Sequence, residues 1–189
     1  MRNAPELNNM GSLTRINREL KYKAAILDVY TDTIEFKNGN REEWDYVAHR
    51  KGAAAILPVL PDGKIVLVRQ YRNSIERETI EIPAGAKDYI GEPSVECALR
   101  ELEEETGYRS DNVEYLYTIA TTVAFCNEVV EIFLARDLIP SVQKLDENEF
   151  INVEAYELDE LVSMILNGVI QDGKTVGAIL AYKSKYIKS

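Results

Sequence analysis

Histidine is almost missing from this sequence, with His49 alone among 189 residues, and cysteine is confined to Cys97 and Cys126. One imidazole and two thiols exclude a disulfide framework, a thiolate zinc site and any histidine-rich metal centre. Positive charge is also in deficit: 22 Lys and Arg face 32 Asp and Glu, a formal net charge of −10. A surface this negative repels phosphate backbones and anionic lipid, so neither nucleic acid nor membrane is an expected partner. A small phosphate substrate stays open, because a divalent cation inverts the charge locally. No apolar run approaches the roughly 18 residues of a membrane helix. The opening MRNAPELNNMGSLTRINREL lacks the apolar core of a signal peptide or anchor. The expectation is a cytoplasmic protein of one domain, or one domain with a small appendage.

What is present is enough to build a core, since 46% of residues are hydrophobic. The first half reads as strands: Ala24 to Tyr30, Thr33 to Phe36, then an Asn-Gly-Asn turn at Asn38 to Asn40, then Trp44 to Ala48. GAAAILPVL and KIVLVRQY flank Pro61-Asp62-Gly63, which predicts a hairpin because Pro presets φ and Gly accepts positive φ. Thr79 to Ile82 is a further short strand. From Glu92 the pattern turns helical, with Pro93 suited to a first turn and Val95, Ala98, Leu99 and Leu102 spaced as a core-facing stripe. Gly107 is placed to stop that helix. Strands resume at Val113 to Ala120, Val129 to Ala135 and, as an edge, Phe150 to Ala155. Helices are expected at Asp159 to Leu166 and Val176 to Tyr182. Mixed strands with helices on both faces indicate an α/β sandwich, residues 49–189, preceded by a small β-sheet subdomain, residues 1–48.

The chemistry is concentrated between Glu92 and Gly107, where six glutamates accompany one cation, Arg100. On a helix, Glu101 and Glu105 stack one turn apart with Glu104 beside them. Like charges at that spacing repel, and the patch borders the core, so a compensating cation is needed. Hard oxygen donors suit Mg²⁺ or Mn²⁺. A solvated acidic face is the plainer explanation for a glutamate-rich helix, and the detailed spelling decides against it.

Arg100-Glu101-Leu102-Glu103-Glu104-Glu105-Thr106-Gly107-Tyr108 follows R-E-U-x-E-E-x-G-U, with U bulky and apolar or aromatic, and Glu92 and Gly85 precede it. This resembles the signature box of the Nudix hydrolases, with one residue more between Gly85 and Glu92 than the family has. The resemblance implies an α/β/α sandwich of the Nudix type with a mixed sheet. It also implies Mg²⁺ (or Mn²⁺) ligation by Glu101, Glu105 and the carbonyl of Ala84. Glu104 is implied as a third ligand or a partner of metal-bound water, and Arg100, Glu92 and Gly85 as the brace around the ligands. WDYVAHRKGAAAILPVL, KIVLVRQYR, EIPAG and GVIQDGKTVGAILAY resemble the ADP-ribose pyrophosphatase branch. That branch's Pro-Gly pair after the box is absent here, although Phe125, Asn127 and Glu128 fit the same stretch.

The implied reaction is metal-dependent hydrolysis of the diphosphate in ADP-ribose or a related nucleoside diphosphate sugar, giving AMP and ribose 5-phosphate from ADP-ribose. Hydrolysis of another nucleoside diphosphate derivative, or a ligand-sensing module without catalysis, are the alternatives, and retention of the box glutamates opposes the second. Glu128 and Arg72 are implied as substrate contacts. Trp44 either anchors the small sheet or stacks on adenine. Arg69, near Arg72 on the same strand, reads as an ordinary surface residue, and His49-Arg50-Lys51 as a solvated turn. The water-activating base is sought in the acidic stretch Asp146 to Glu149, where Glu147 and Glu149 share a face if the segment is extended. Resemblance favours Glu149, then Glu147, then Glu104. A homodimer built on the N-terminal strands is expected, because those strands leave edges that need covering.

Overall fold

The computed structural model describes residues 13–187; residues 1–12, which open the N-terminal subdomain expected above, lie outside it. Its contacts group into two units, one ending at Arg50 and including Thr122–Asn127, the other comprising Lys51–Thr121 and the chain from Glu128 onward.

The first unit is an antiparallel sheet of β1 (Leu13–Lys23), β2 (Leu27–Phe36) and β3 (Arg41–His49), in that order. The Asn38–Asn40 turn forms as expected: Gly39 takes φ +83° and the Asn40 amide donates to Asn38 Oδ1 at 3.0 Å. Two differences stand out. The break anticipated near residue 31 does not exist, and LTRINRELKYK, which has no strand-like apolar alternation, is β1. Pairing supplies what burial does not: Arg18 lies bidentate on Asp32 at 2.6 and 2.6 Å, its guanidinium over the Tyr46 ring at 3.7 Å. Arg50 is not part of a solvated turn either. It closes the β1–β2 connection through the carbonyls of Ala24, Ala25 and Leu27 and the carboxylate of Asp28.

The second unit contains β4 (Ala53–Pro58), β5 (Ile65–Arg72), β6 (Arg77–Glu81), β7 (Ala84–Ala86), α1 (Ser94–Thr106), β8 (Tyr108–Arg109), β9 (Asn112–Ala120), β10 (Val129–Arg136), β11 (Ile139–Pro140), β12 (Ile151–Tyr156), α2 (Leu158–Leu166) and α3 (Gly173–Tyr186). A mixed sheet runs β7-β4-β10-β9, with β10 parallel to β4; an antiparallel sheet runs β12-β5-β6, and β8 pairs with β11. Residues of β4 alternate between two cores. Ala54 and Ile56 pack with Cys97, Ala98 and Leu102 of α1, whereas Ala55 and Leu57 pack with Leu161 of α2 and Ile179 of α3. Helices therefore cover opposite faces, the α/β/α arrangement expected from the alternation of elements.

The predicted hairpin is corrected. Its turn closes, with Leu60 donating to the Lys64 carbonyl at 2.8 Å and Gly63 at φ +92°, but only Val59 and Ile65 bridge beyond it. Both strands are buried on two faces, so each needs neighbours on both edges, and they part into separate sheets.

Candidate active site

Helix α1 starts at Ser94 after Pro93, which stands at the N-cap and not inside the first turn, and ends at Gly107 in left-handed conformation, φ +69°. Its buried face is Ser94, Cys97, Ala98, Glu101, Leu102 and Glu105, so the expected stripe is rotated: Val95 is exposed and two glutamates lie inside the apolar face. Burying Leu102 contributes about 1.5–3 kcal/mol towards holding the helix down, against the cost of its buried carboxylates.

Gly85 lets β7 approach this face. A Cβ there would overlap the Glu101 carboxylate, so no other residue fits without moving the glutamate. Beside it, the Ala84 amide donates to Glu105 Oε2 at 3.1 Å. Glu105 is only 3% exposed. Burial first, and then the charges of Glu101 and Glu149, push its carboxyl up to about 8. Burial pushes Glu101 in the same direction.

Arg100 stands between loop and helix, 2.7 Å from Glu101, 3.1 Å from Glu104, 3.3 Å from Asp88 and 3.7 Å from Glu92, and donates to the Ala86 carbonyl at 3.0 Å. Besides that ion pair with Arg100, Glu92 accepts from the Asp88 amide at 2.7 Å and so closes the longer loop, in which Gly91 takes φ +93°. Burial of the Cys97 thiol, on the core-facing side of the same helix, pushes it up to about 11.

Glu101, Glu104, Glu105, Ala84, Gln70 and Glu149 all line one cavity of about 280 Å³. Glu149 is held there by Gln70, whose amide donates to it at 3.2 Å. The acidic segment is a turn and not the extended stretch considered above, Glu149 N donating to the Asp146 carbonyl at 3.0 Å. A neighbouring cavity is lined by both Glu147 and Glu149 with Tyr71 and Phe150, but only Glu149 of the two also lines the cavity of the α1 glutamates. Two further residues of the site carry no signal in the sequence. Gln70 and Lys144 reach it only because β5 and the segment before β12 converge on α1.

An adjoining cavity of about 370 Å³ is lined by Arg72, Ala84, Gly85, Glu128, Gly173 and Lys174. Arg72 lies bidentate on Glu81 at 2.7 and 2.7 Å, and Lys174 meets the same carboxylate. Burial alone would raise Glu81, but the Arg72 hydrogen bonds and Lys174 hold it at about 2. Arg69 makes its own bidentate pair with Glu154, so the two arginines of the strand are both engaged. The Thr121 hydroxyl donates to Glu128 at 2.8 Å. Trp44 belongs to the first unit. It is 43% exposed, edge-on to Phe36 at 6.2 Å, and lines a cavity with Phe125, so it is no core anchor.

The donors on α1 and β7 are all hard oxygens. Among the described residues no three acidic, histidine or cysteine side chains are already gathered closely enough to hold an ion, and Arg100 is the cation nearest Glu101 and Glu104. Buried carboxylates with raised pKa, on a backbone that only glycine allows so near, suit a hard divalent cation.

A glutamate helix packed on a glycine turn, within an α/β/α sandwich, defines the molecule as a carboxylate-site α/β protein. Residues 48–177 match the NUDIX domain family, and the chain belongs to the Nudix family. It is 36% identical over 166 residues, 87% of this chain and 89% of the relative, to the ADP-ribose pyrophosphatase of Bacillus subtilis (strain 168). The same identity and coverage relate it to the methanol dehydrogenase activator of Bacillus methanolicus. The crystal structure of an ADP compounds hydrolase superposes with a TM-score of 0.82 at 24% identity, covering 92% of this chain and 93% of that one, and shows the same fold. Family and relatives make the chain a hydrolase of the pyrophosphatase kind. Among the described residues no helix is long and apolar enough to cross a membrane.

Proposed function

We propose that the chain hydrolyses the diphosphate of ADP-ribose, or of a related nucleoside diphosphate sugar, with a divalent cation, Mg²⁺ or Mn²⁺, bound at the α1 glutamates. The observation that carries this reading is the single cavity lined by Glu101, Glu104, Glu105, Ala84 and Glu149 together. Resemblance of the surrounding chain to ADP-ribose pyrophosphatases supports the substrate class. Glu101 and Glu105 would hold the cation, with the Ala84 carbonyl and Glu104 completing its donors. The bound cation supplies charge neutralisation for the diphosphate and a more acidic water. Glu149, tethered by Gln70, stands opposite the helix and takes the proton from the attacking water at its carboxylate. Arg72, fixed by Glu81, presents a guanidinium to a phosphate oxygen from the adjoining cavity. With ADP-ribose the products are AMP and ribose 5-phosphate. Trp44 offers an exposed ring on which an adenine stacks.

The test is a panel of ADP-ribose, ADP-glucose, GDP-mannose, NADH and diadenosine polyphosphates with Mg²⁺ or Mn²⁺. Turnover of ADP-ribose that chelation by EDTA abolishes is the expected result. No turnover of any member would sink the proposal.

A further inference from the structure

The C-terminal Asp172-Gly173-Lys174-Thr175 segment is given no role in the reading above, yet it is among the most firmly anchored parts of the second unit. Asp172 caps α3 by accepting from the Thr175 amide at 3.0 Å and its hydroxyl at 2.5 Å. Thr175 Oγ1 accepts the Ile82 amide at 2.9 Å, which ties the helix start to the end of β6. The Tyr117 hydroxyl donates to the Lys174 carbonyl at 3.2 Å. Gly177 makes that approach possible, since a Cβ there would overlap the Tyr117 hydroxyl. The cap of α3, the end of β6 and strand β9 thus fix the backbone at Lys174.

Its side chain, 15% exposed, ends between Glu81 and Asp172, the latter at 3.0 Å. Glu81 is 4% exposed and also carries Arg72, so one buried carboxylate sets the position of two cations. Arg72 borders both the carboxylate cavity and the adjoining one, while Lys174 borders only the second. A buried ion cluster contributes little net stability compared with apolar packing, so its place on a cavity wall asks for another use. The Lys174 ammonium donates to Glu81 and pairs with Asp172, and Arg72 Nη1 has no hydrogen-bond partner among the described residues.

We infer that Lys174 is a substrate-binding residue that takes the second phosphoryl group of a nucleoside diphosphate, next to Arg72, and that Glu81 is the positioning residue for both cations. This rests on the substrate class proposed above and adds a specificity element from α3. Glu81 and Asp172 hold the ammonium in place before substrate arrives, which reduces the side-chain entropy lost on binding. A monophosphate reaching only Arg72 forgoes the Lys174 contact, so the pair discriminates by the number of phosphates.

The experiment compares the parent with Lys174→Met, Lys174→Gln and Lys174→Arg. ADP binding is measured by calorimetry in EDTA, where no turnover intervenes, and KM and kcat for ADP-ribose are measured with Mg²⁺. Loss of a charged hydrogen bond predicts ADP affinity weaker by about tenfold or more and KM raised in parallel. The kcat stays within a fewfold, and Lys174→Arg recovers part of the affinity. Glu81→Gln should raise KM at least as far, and adding Lys174→Met to it should give less than the product of the two effects. Parent-like ADP affinity and KM in folded Lys174→Met and Lys174→Gln would overturn the inference, as would failure of the parent to bind ADP. If the parent binds ADP in a Lys174-dependent way but turns over no member of the panel, the reaction proposed above fails and the phosphate seat stands.

Discussion

Glu149 and Glu147 are two residues apart and equally acidic, and a hydrogen bond decides between them. Gln70 on β5 reaches Glu149, which lines the cavity of the α1 carboxylates as well as the neighbouring one, while Glu147 lines only the neighbouring one. Glu149→Gln should lower kcat by roughly 10²–10⁴ with little change in KM, as for a group acting in the transition state, and Glu147→Gln should stay within a fewfold. Steady-state kinetics at saturating Mg²⁺ checks both; comparable losses in the two variants would remove Glu149 from the role. Glu81 makes a separate prediction about acid stability. Its carboxyl, ordinarily near 4.5, sits at about 2 in the folded chain. A depressed carboxyl contributes stability that is present above the unfolded value and lost as pH falls through the folded one. The melting temperature of Glu81→Gln should therefore lie several degrees below the parent at pH 6, with the gap narrowing towards pH 3. A gap constant across that range would mean Glu81 acts through shape and not charge. At this scale the box was legible because its residues are contiguous and their spacing alone stacks them on a helix. Gln70, Lys144 and Lys174 were not, because each owes its place to packing between segments distant in sequence.

Elements repeat that contrast. Helix α1 and the strands β9 and β10 follow from local periodicity, and their bounds differ from the expected ones by at most two residues. The β4–β5 turn was read correctly and the pairing beyond it was not. Turn chemistry is local, whereas the choice of neighbour belongs to strands distant in sequence. Strand β1 had no periodicity to read, since the residues of LTRINRELKYK are almost all exposed and only its partner β2 defines it. Helix α3 offers an element-scale test. Glycine inside a helix normally costs about 1 kcal/mol relative to alanine, so Gly177→Ala on propensity alone should stabilise the chain. Here the added Cβ meets the Tyr117 hydroxyl, and overlap outweighs propensity. The variant should melt lower than the parent, and Tyr117→Phe in the same chain should restore part of the loss. A Gly177→Ala protein more stable than the parent would show that α3 shifts freely, against the anchoring argued for Lys174.

For the whole molecule, the open question is what covers the first unit. Leu13, Ile16, Leu20, Tyr22 and Ile26 are each 43% exposed or more, an apolar set too large for a three-stranded sheet to leave in water singly. β1 is also an edge strand, ten residues or longer, with its outer row of backbone groups unpaired by any other strand among the described residues. Charged residues along it (Arg15, Arg18, Glu19, Lys21, Lys23) blunt uncontrolled pairing, which favours one defined partner over aggregation. A second copy of the chain meets both needs, because a two-fold axis sets the same patch against itself. We therefore expect a homodimer through β1 and β2, with light scattering giving twice the monomer mass at micromolar concentration. Leu20→Arg places charge within the apolar set without touching the carboxylate helix, and should shift the protein to monomer while far-ultraviolet circular dichroism remains parent-like. A parent that scatters as a monomer at that concentration would refute the dimer and leave the exposed face of β1 to be covered by something else.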